Sequence, residues 1–249
     1  MLKSLIKISV AILFGMQLSG IVFAQDKAQA RRVALVIGNS AYKSMALQNP
    51  VNDATAIAKK LVSLGFRVTT VTDVNATQMK DALRSFKVIS AGADVGVLFY
   101  SGHGAFLDGN VYMIPVDASA TDKAELIVSS VPLYSAVEKF MDSKRKIAFY
   151  DSNLDDPFQT PPALSTNSYP QGALMAFAAN LGSVASDGRG KNSPFTSALL
   201  AHLSDPDDIA LVLRKVRAKV IKETNGQQQP WEYGALTSGK LVLSNRSVR

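Results

Sequence analysis

Along this chain, short unbroken apolar runs alternate with longer stretches in which apolar residues recur every three or four positions. Val33-Ala34-Leu35-Val36-Ile37 closes on Gly38-Asn39. A run of that kind suits a strand buried on both faces, as in a parallel sheet. From Asn52 to Leu64, the positions Ala54, Ile57, Ala58, Leu61 and Leu64 follow helical spacing, Lys59 and Lys60 face away, and Gly65 stops the helix. Phe66 to Val71 predicts a second strand and Gln78 to Ile89 a second amphipathic helix. Ala93 to Tyr100 is a third strand that opens straight into Ser101-Gly102-His103-Gly104.

Val111 to Val116 then reads as a short strand and Val131 to Met141 as a helix. Lys146 to Asp151 is the next buried strand, ending at Ser152-Asn153. Leu174 to Ala179 is another strand, followed by helices over Phe195 to Leu203 and Ile209 to Ile221, the latter with Arg214, Arg217 and Lys222 on its wet side. The alternation predicts an α/β fold with a mostly parallel sheet and helices on both faces. The least regular stretch, 155–172, holds Pro157, Pro161, Pro162 and Pro170 among Ser, Thr and Asn, and predicts a mobile surface loop. It divides one domain, 31–245, into a larger N-terminal part ending about residue 154 and a smaller part over 173–245.

The first residues stand apart from this pattern. Lys3 and Lys7 precede an apolar stretch from Ile8 to Phe23, and Val22-Phe23-Ala24 puts small residues at −3 and −1. This predicts a secretory signal over 1–24 and export, on a bacterial reading to the periplasm. A retained membrane anchor is the other reading, and Gly15, Gln17, Ser19 and Gly20 interrupt the stretch against it. Removing Lys3 and Lys7 lowers the formal charge from +7 to about +5, a modest excess. No basic run is interleaved with aromatics, so nucleic acid is not an expected partner. The chain contains no cysteine. It therefore has no disulfide and no lipid anchor on cysteine, and its stability rests on an ordinary core.

In open α/β sheets, ligands bind beyond the carboxyl ends of the strands. His103 and Asn153 each follow such a strand, so neighbouring strands would bring both into one cleft. They lie about 50 residues apart, the interval between histidine and cysteine in caspases. Several further segments make the chain resemble the caspase-like and metacaspase-type peptidases, most closely secreted bacterial ones. They are Ala34-Leu-Val-Ile-Gly-Asn-Ser-Ala-Tyr42, Leu47-Gln-Asn-Pro-Val-Asn-Asp-Ala54, Leu64-Gly-Phe66, Tyr100 to Gly104, Ile114-Pro-Val-Asp117, Asp187 to Phe195 and Gln229-Pro-Trp-Glu232. The resemblance implies a three-layer α/β/α sandwich around a mostly parallel sheet. It places the family's base on His103, its nucleophile position on Asn153, and its oxyanion donors on the backbone N–H groups of Gly104 and Asn153. It also places on Asp151 an acidic residue that helps metacaspases form a pocket for Lys or Arg; a loop-capping carboxylate is the other reading of Asp151.

The departure falls on the nucleophile. The family usually reads Asp-Ala-Cys-Arg or Asp-Ser-Cys, and this chain reads Asp151-Ser152-Asn153-Leu154. A cysteine peptidase needs a sulfur that deprotonates beside its histidine, and an amide cannot replace it. From Ile147 to Gly188 there is also no Lys or Arg at which a metacaspase-like enzyme could process itself. The expectation is a pseudopeptidase whose cleft binds a peptide or protein partner carrying Lys or Arg. The alternatives are residual hydrolysis by Ser152 with His103, although adjacent residues leaving a strand point in different directions, and a structural adaptor. No cofactor is expected. Asp155-Asp156 reads as a solvated turn rather than a metal site, Trp231 as packing, and His202 as a surface helix residue.

Overall fold

The computed structural model describes residues 30–119, 121–154, 156–158, 170–180, 182–183, 185–188, 190–234, 236 and 239–244. The expected signal over 1–24 and most of the expected loop over 155–172 lie outside the described residues.

Six strands form the central sheet: β1 (Arg32–Gly38), β2 (Arg67–Thr72), β3 (Val95–Ser101), β7 (Arg145–Asp151), β8 (Ala173–Phe177) and β9 (Trp231–Gly234). Their order is β2-β1-β3-β7-β8-β9. All pairings are parallel except β8 with β9. Every residue of β3 is buried, as expected for a strand covered by helices on both faces.

Alternation along the strands assigns residues to the two faces. Ala34, Val36, Val97, Phe99, Ile147 and Phe149 share one core with α1 (Pro50–Ser63), α5 (Pro194–His202) and α6 (Ile209–Glu223). Val33, Leu35, Ile37, Leu98, Tyr100 and Tyr150 share the other with α2 (Ala76–Ser90) and α4 (Leu133–Phe140). The sandwich is therefore three-layered. Pro50 takes the first turn of α1, where its missing N–H costs nothing, so that helix starts two residues before the expected Asn52. Asn75 and Gln78 close the start of α2 with a reciprocal capping box. Among the described residues, no helix is long and apolar enough to cross a membrane.

Four features depart from the periodicity reading. Gly104–Leu107 (β4) and Asn110–Met113 (β5) form a hairpin joined to Val131–Pro132 (β6) in a small antiparallel sheet. Asp108 and Gly109, both at positive φ (48° and 76°), make the turn, and Asp-Gly is a residue pair that favours such a two-residue turn. The expected strand over 111–116 thus stops at Met113, and the expected helix from Val131 starts only at Leu133. Lys123–Ser129 (α3) was not expected; the Asp122 side chain caps it by accepting from Glu125 N–H. Trp231 does not pack inside: it lies on the edge strand β9 and is 48% exposed.

Candidate functional site

β3 and β7 are adjacent and parallel, with Ser101 level with Asp151. His103 and Asn153 each stand two residues beyond that pair, so register alone brings them to the same level past the carboxyl edge of the sheet. Both border the same opening. Gly104 follows at the start of β4. A Cβ there would collide with the Tyr150 hydroxyl and lie 2.5 Å from Ser152 Oγ, so this position excludes any side chain.

His103 is fixed through its main chain by two buried tyrosines. Its N–H donates to Tyr42 Oη at 2.8 Å, and its carbonyl accepts from Tyr100 Oη at 2.5 Å. Burial pushes the Tyr42 phenol up to about 12 and holds that of Tyr100 well above its ordinary range. Both remain neutral hydroxyls near neutral pH. The Tyr42 ring also packs against the imidazole, with centroids 4.4 Å apart. Nε2 of His103 lies 2.6 Å from the carbonyl of Met45. That nitrogen therefore carries the proton and donates it to the loop between β1 and α1.

The three residues after Asp151 have separate tasks. Ser152 is buried, and its hydroxyl donates to the Gly102 carbonyl at 2.6 Å. Its oxygen is engaged with backbone, not with His103. Asn153 Oδ1 accepts from Ala185 N–H at 3.0 Å, so this amide pins the loop after β8. Leu154 is buried in the sheet core, and its N–H donates to Ser183 O at 3.0 Å.

Three carboxylates converge behind this opening. Asp151 accepts from Ser193 Oγ at 2.5 Å and from Thr196 Oγ1 at 2.7 Å. Asp53, on α1, is fully buried and accepts from Ser101 Oγ (3.2 Å), Asn192 Nδ2 (2.8 Å) and Ser193 N–H (3.1 Å). Asp187 accepts from the N–H groups of Gln48 (2.8 Å) and Asn49 (3.4 Å). Burial pushes Asp53 upward, and the charge of Asp151 adds to it. Burial likewise pushes Asp151 upward, while the Ser193 and Thr196 hydroxyls pull it back. Among the described residues, no Lys or Arg forms an ion pair with any of the three.

Asp151 thus serves as a structural acceptor for α5 and also as a wall of the opening. Sequence reasoning gave Asp53 and Asp187 no role. The signal for Asp53 was present: it sits four and eight residues before Ile57 and Leu61, on the apolar stripe of α1, where a carboxylate is out of place. His202 lies in α5, half-buried and 3.1 Å from Asp205. Asp156 accepts from Phe158 N–H, and Asp155 lies outside the described residues. Among the described residues, no group of three or more His, Asp or Glu is placed to hold a metal ion.

Two hollows meet at His103 and Asn153. The first, about 200 Å³, is bounded by Ser101, Asp151, Ala185, Asp187 and Ser193 as well as by those two. The second, about 130 Å³, opens on Tyr42, Met45, Ile114, Val116 and Leu126.

Comparison with known proteins agrees with this architecture. The sequence model of the caspase domain matches residues 31–241. The human mucosa-associated lymphoid tissue lymphoma translocation protein 1 is 34% identical over 95 residues, 38% of this chain. Its mouse homolog is 33% identical over 108 residues, 43% of this chain. The matched segment spans only 12% of the length of either relative. Among solved structures, caspase-1 of Spodoptera frugiperda superposes with a TM-score of 0.65 at 20% identity, covering 88% of this chain and 93% of that one. A protein of Geobacter sulfurreducens gives 0.64 at 18% identity, covering 87% and 97%. With a caspase-domain match over nearly all of the described chain and a mostly parallel sheet that places His103 and Asn153 just past adjacent strand ends, this protein belongs to the caspase-domain peptidase family.

Proposed function

We propose that this chain is an exported pseudopeptidase that does not cleave peptides and uses the first hollow to bind a Lys- or Arg-bearing segment of a protein partner. One observation carries the reading. The hollow keeps His103 at its mouth, has Asn153 where a thiol would stand, and turns Asp151 and Asp187 into its wall without a paired cation among the described residues. A guanidinium or ammonium entering there gains charge-assisted hydrogen bonds and relieves the repulsion between buried carboxylates. The N–H groups of Gly104 and Asn153, being backbone, survive the substitution and remain available to a peptide carbonyl. Export rests on Lys3, Lys7 and the Val22-Phe23-Ala24 site, and N-terminal sequencing of the protein recovered from the cell envelope tests it.

Calorimetry with a short Arg-containing peptide and its norleucine analogue tests the binding site. Arg should bind more tightly, and Asp151→Asn should weaken it by about 1–3 kcal/mol, the scale of a hydrogen bond to a charged group. Equal affinity for the two peptides on the unaltered protein removes the acidic hollow as a binding site and leaves an adaptor surface elsewhere.

A further inference from the structure

The second hollow has a different chemistry from the first. The two share only His103 and Asn153 among their lining residues. Where the first is walled by carboxylates, the second has none: Ile114, Val116 and Ala118, from the segment after β5, line it with Leu126 of α3 and Pro157. Besides His103 and the neutral phenol of Tyr42, Lys43 is the ionisable side chain among the described lining residues, and its charge disfavours a second cation. Its volume of about 130 Å³ is close to that of an apolar cavity of about 150 Å³ that accepts benzene. It therefore has room for one side chain of Leu or Phe size.

We infer that the second hollow is a binding site for an aliphatic or aromatic side chain of the same peptide, flanking the basic residue held in the first. This rests on the acidic hollow being the site of the basic residue. Successive side chains of an extended peptide leave on opposite sides, so a peptide crossing between His103 and Asn153 sends neighbouring side chains into different hollows. Burying an apolar side chain removes its surface from water and favours Leu over Ser at the flanking position. The ligand is thus a basic residue beside an apolar one, not a polybasic run.

Four peptides separate the two hollows in one calorimetric series: a central Arg or norleucine, flanked on both sides by Leu or by Ser. On the unaltered protein, Leu flanks should tighten binding about tenfold over Ser flanks, as partial burial of one such side chain provides. Ala118→Phe, which fills the second hollow, and Val116→Asp, which charges it, should each abolish that gain while the preference for Arg over norleucine persists. Arg preferred but Leu and Ser flanks equal would overturn the second hollow and leave the first standing. Leu flanks preferred but Arg and norleucine equal would overturn the acidic hollow and retain the second as a site in its own right. No binding by any of the four overturns both. The peptide series on the unaltered protein decides the matter even if either variant fails to fold.

Discussion

Asp53 on α1 and Asp151 at the end of β7 are joined through a single residue. Ser193 donates its N–H to Asp53 at 3.1 Å and its hydroxyl to Asp151 at 2.5 Å. Two carboxylates from distant parts of the chain are thus held at the start of α5, Asp53 wholly and Asp151 almost wholly buried. Desolvation disfavours charge on both, and each disfavours charge on the other. Asp151 borders the hollow and Asp53 lies buried behind it, with no ion pair to a described Lys or Arg for either, so the site carries a built-in cost that a cationic ligand or a proton can relieve.

That cost makes stability depend on pH. An unfolded aspartate titrates at about 3.9, whereas burial and the charge of Asp151 push Asp53 up to about 8 in the folded chain. Between those values the folded state holds more protons than the unfolded one. The stabilisation is fully present below about pH 4 and is lost as pH rises through about 8. Asp53→Asn keeps an acceptor for Asn192 and Ser193 and a donor for Ser101 but removes the charge. Its stability relative to the unaltered protein should rise by up to about 1.4 kcal/mol per pH unit from pH 5 to pH 8, the direction and limiting slope that linkage dictates. Urea denaturation of both proteins across this range measures it. A difference that does not change with pH would show that Asp53 does not titrate between the two states.

Peptide turnover should be absent. Without a thiol, the acyl intermediate of a cysteine peptidase cannot form, and removal of a nucleophile from such a unit costs on the order of a millionfold. Purified protein should not release fluorophore from Arg- or Lys-terminated peptides, and thiol-directed inhibitors should not label it. Ser152 is the remaining candidate, and its hydroxyl already donates to Gly102. A signal that Ser152→Ala abolishes would reinstate it.

Restoring the sulfur is the converse experiment. Asn153→Cys supplies a nucleophile beside His103 but removes the acceptor for Ala185 N–H. The variant should be less stable by about 0.5–1.5 kcal/mol, the net worth of a typical hydrogen bond, as read from its denaturation midpoint. Activity should return only in part. Leu154 occupies buried space where the family usually carries arginine, and His103 Nε2 is bound to Met45. A folded Asn153→Cys protein with no turnover at all would show that the cleft, and not the nucleophile alone, has lost its catalytic geometry.

The core strands β1, β3 and β7 were legible because a strand buried on both faces must be apolar without interruption. The residues that turn off their ends were legible as a motif. Asp108-Gly109 was equally readable as a hairpin turn and was missed because the apolar run after it was longer than the strand it begins. β9 was hidden for the opposite reason. An edge strand half exposed to solvent carries Trp231, Glu232 and Tyr233 in no burial pattern that periodicity detects.

By itself, the sequence determined the layer architecture, the place of His103 and Asn153 at strand ends, and the absence of any thiol, because burial patterns, short motifs and composition are local properties. Only the tertiary structure decided that Asp53 joins Asp151 through Ser193, that Asn153 anchors the loop at Ala185, and that an acidic and an apolar hollow meet at His103. Those relationships depend on which strands are neighbours and on how helices from distant parts of the chain pack over their ends. A carboxylate on a helix announces nothing about its partner until packing has removed the water from between them.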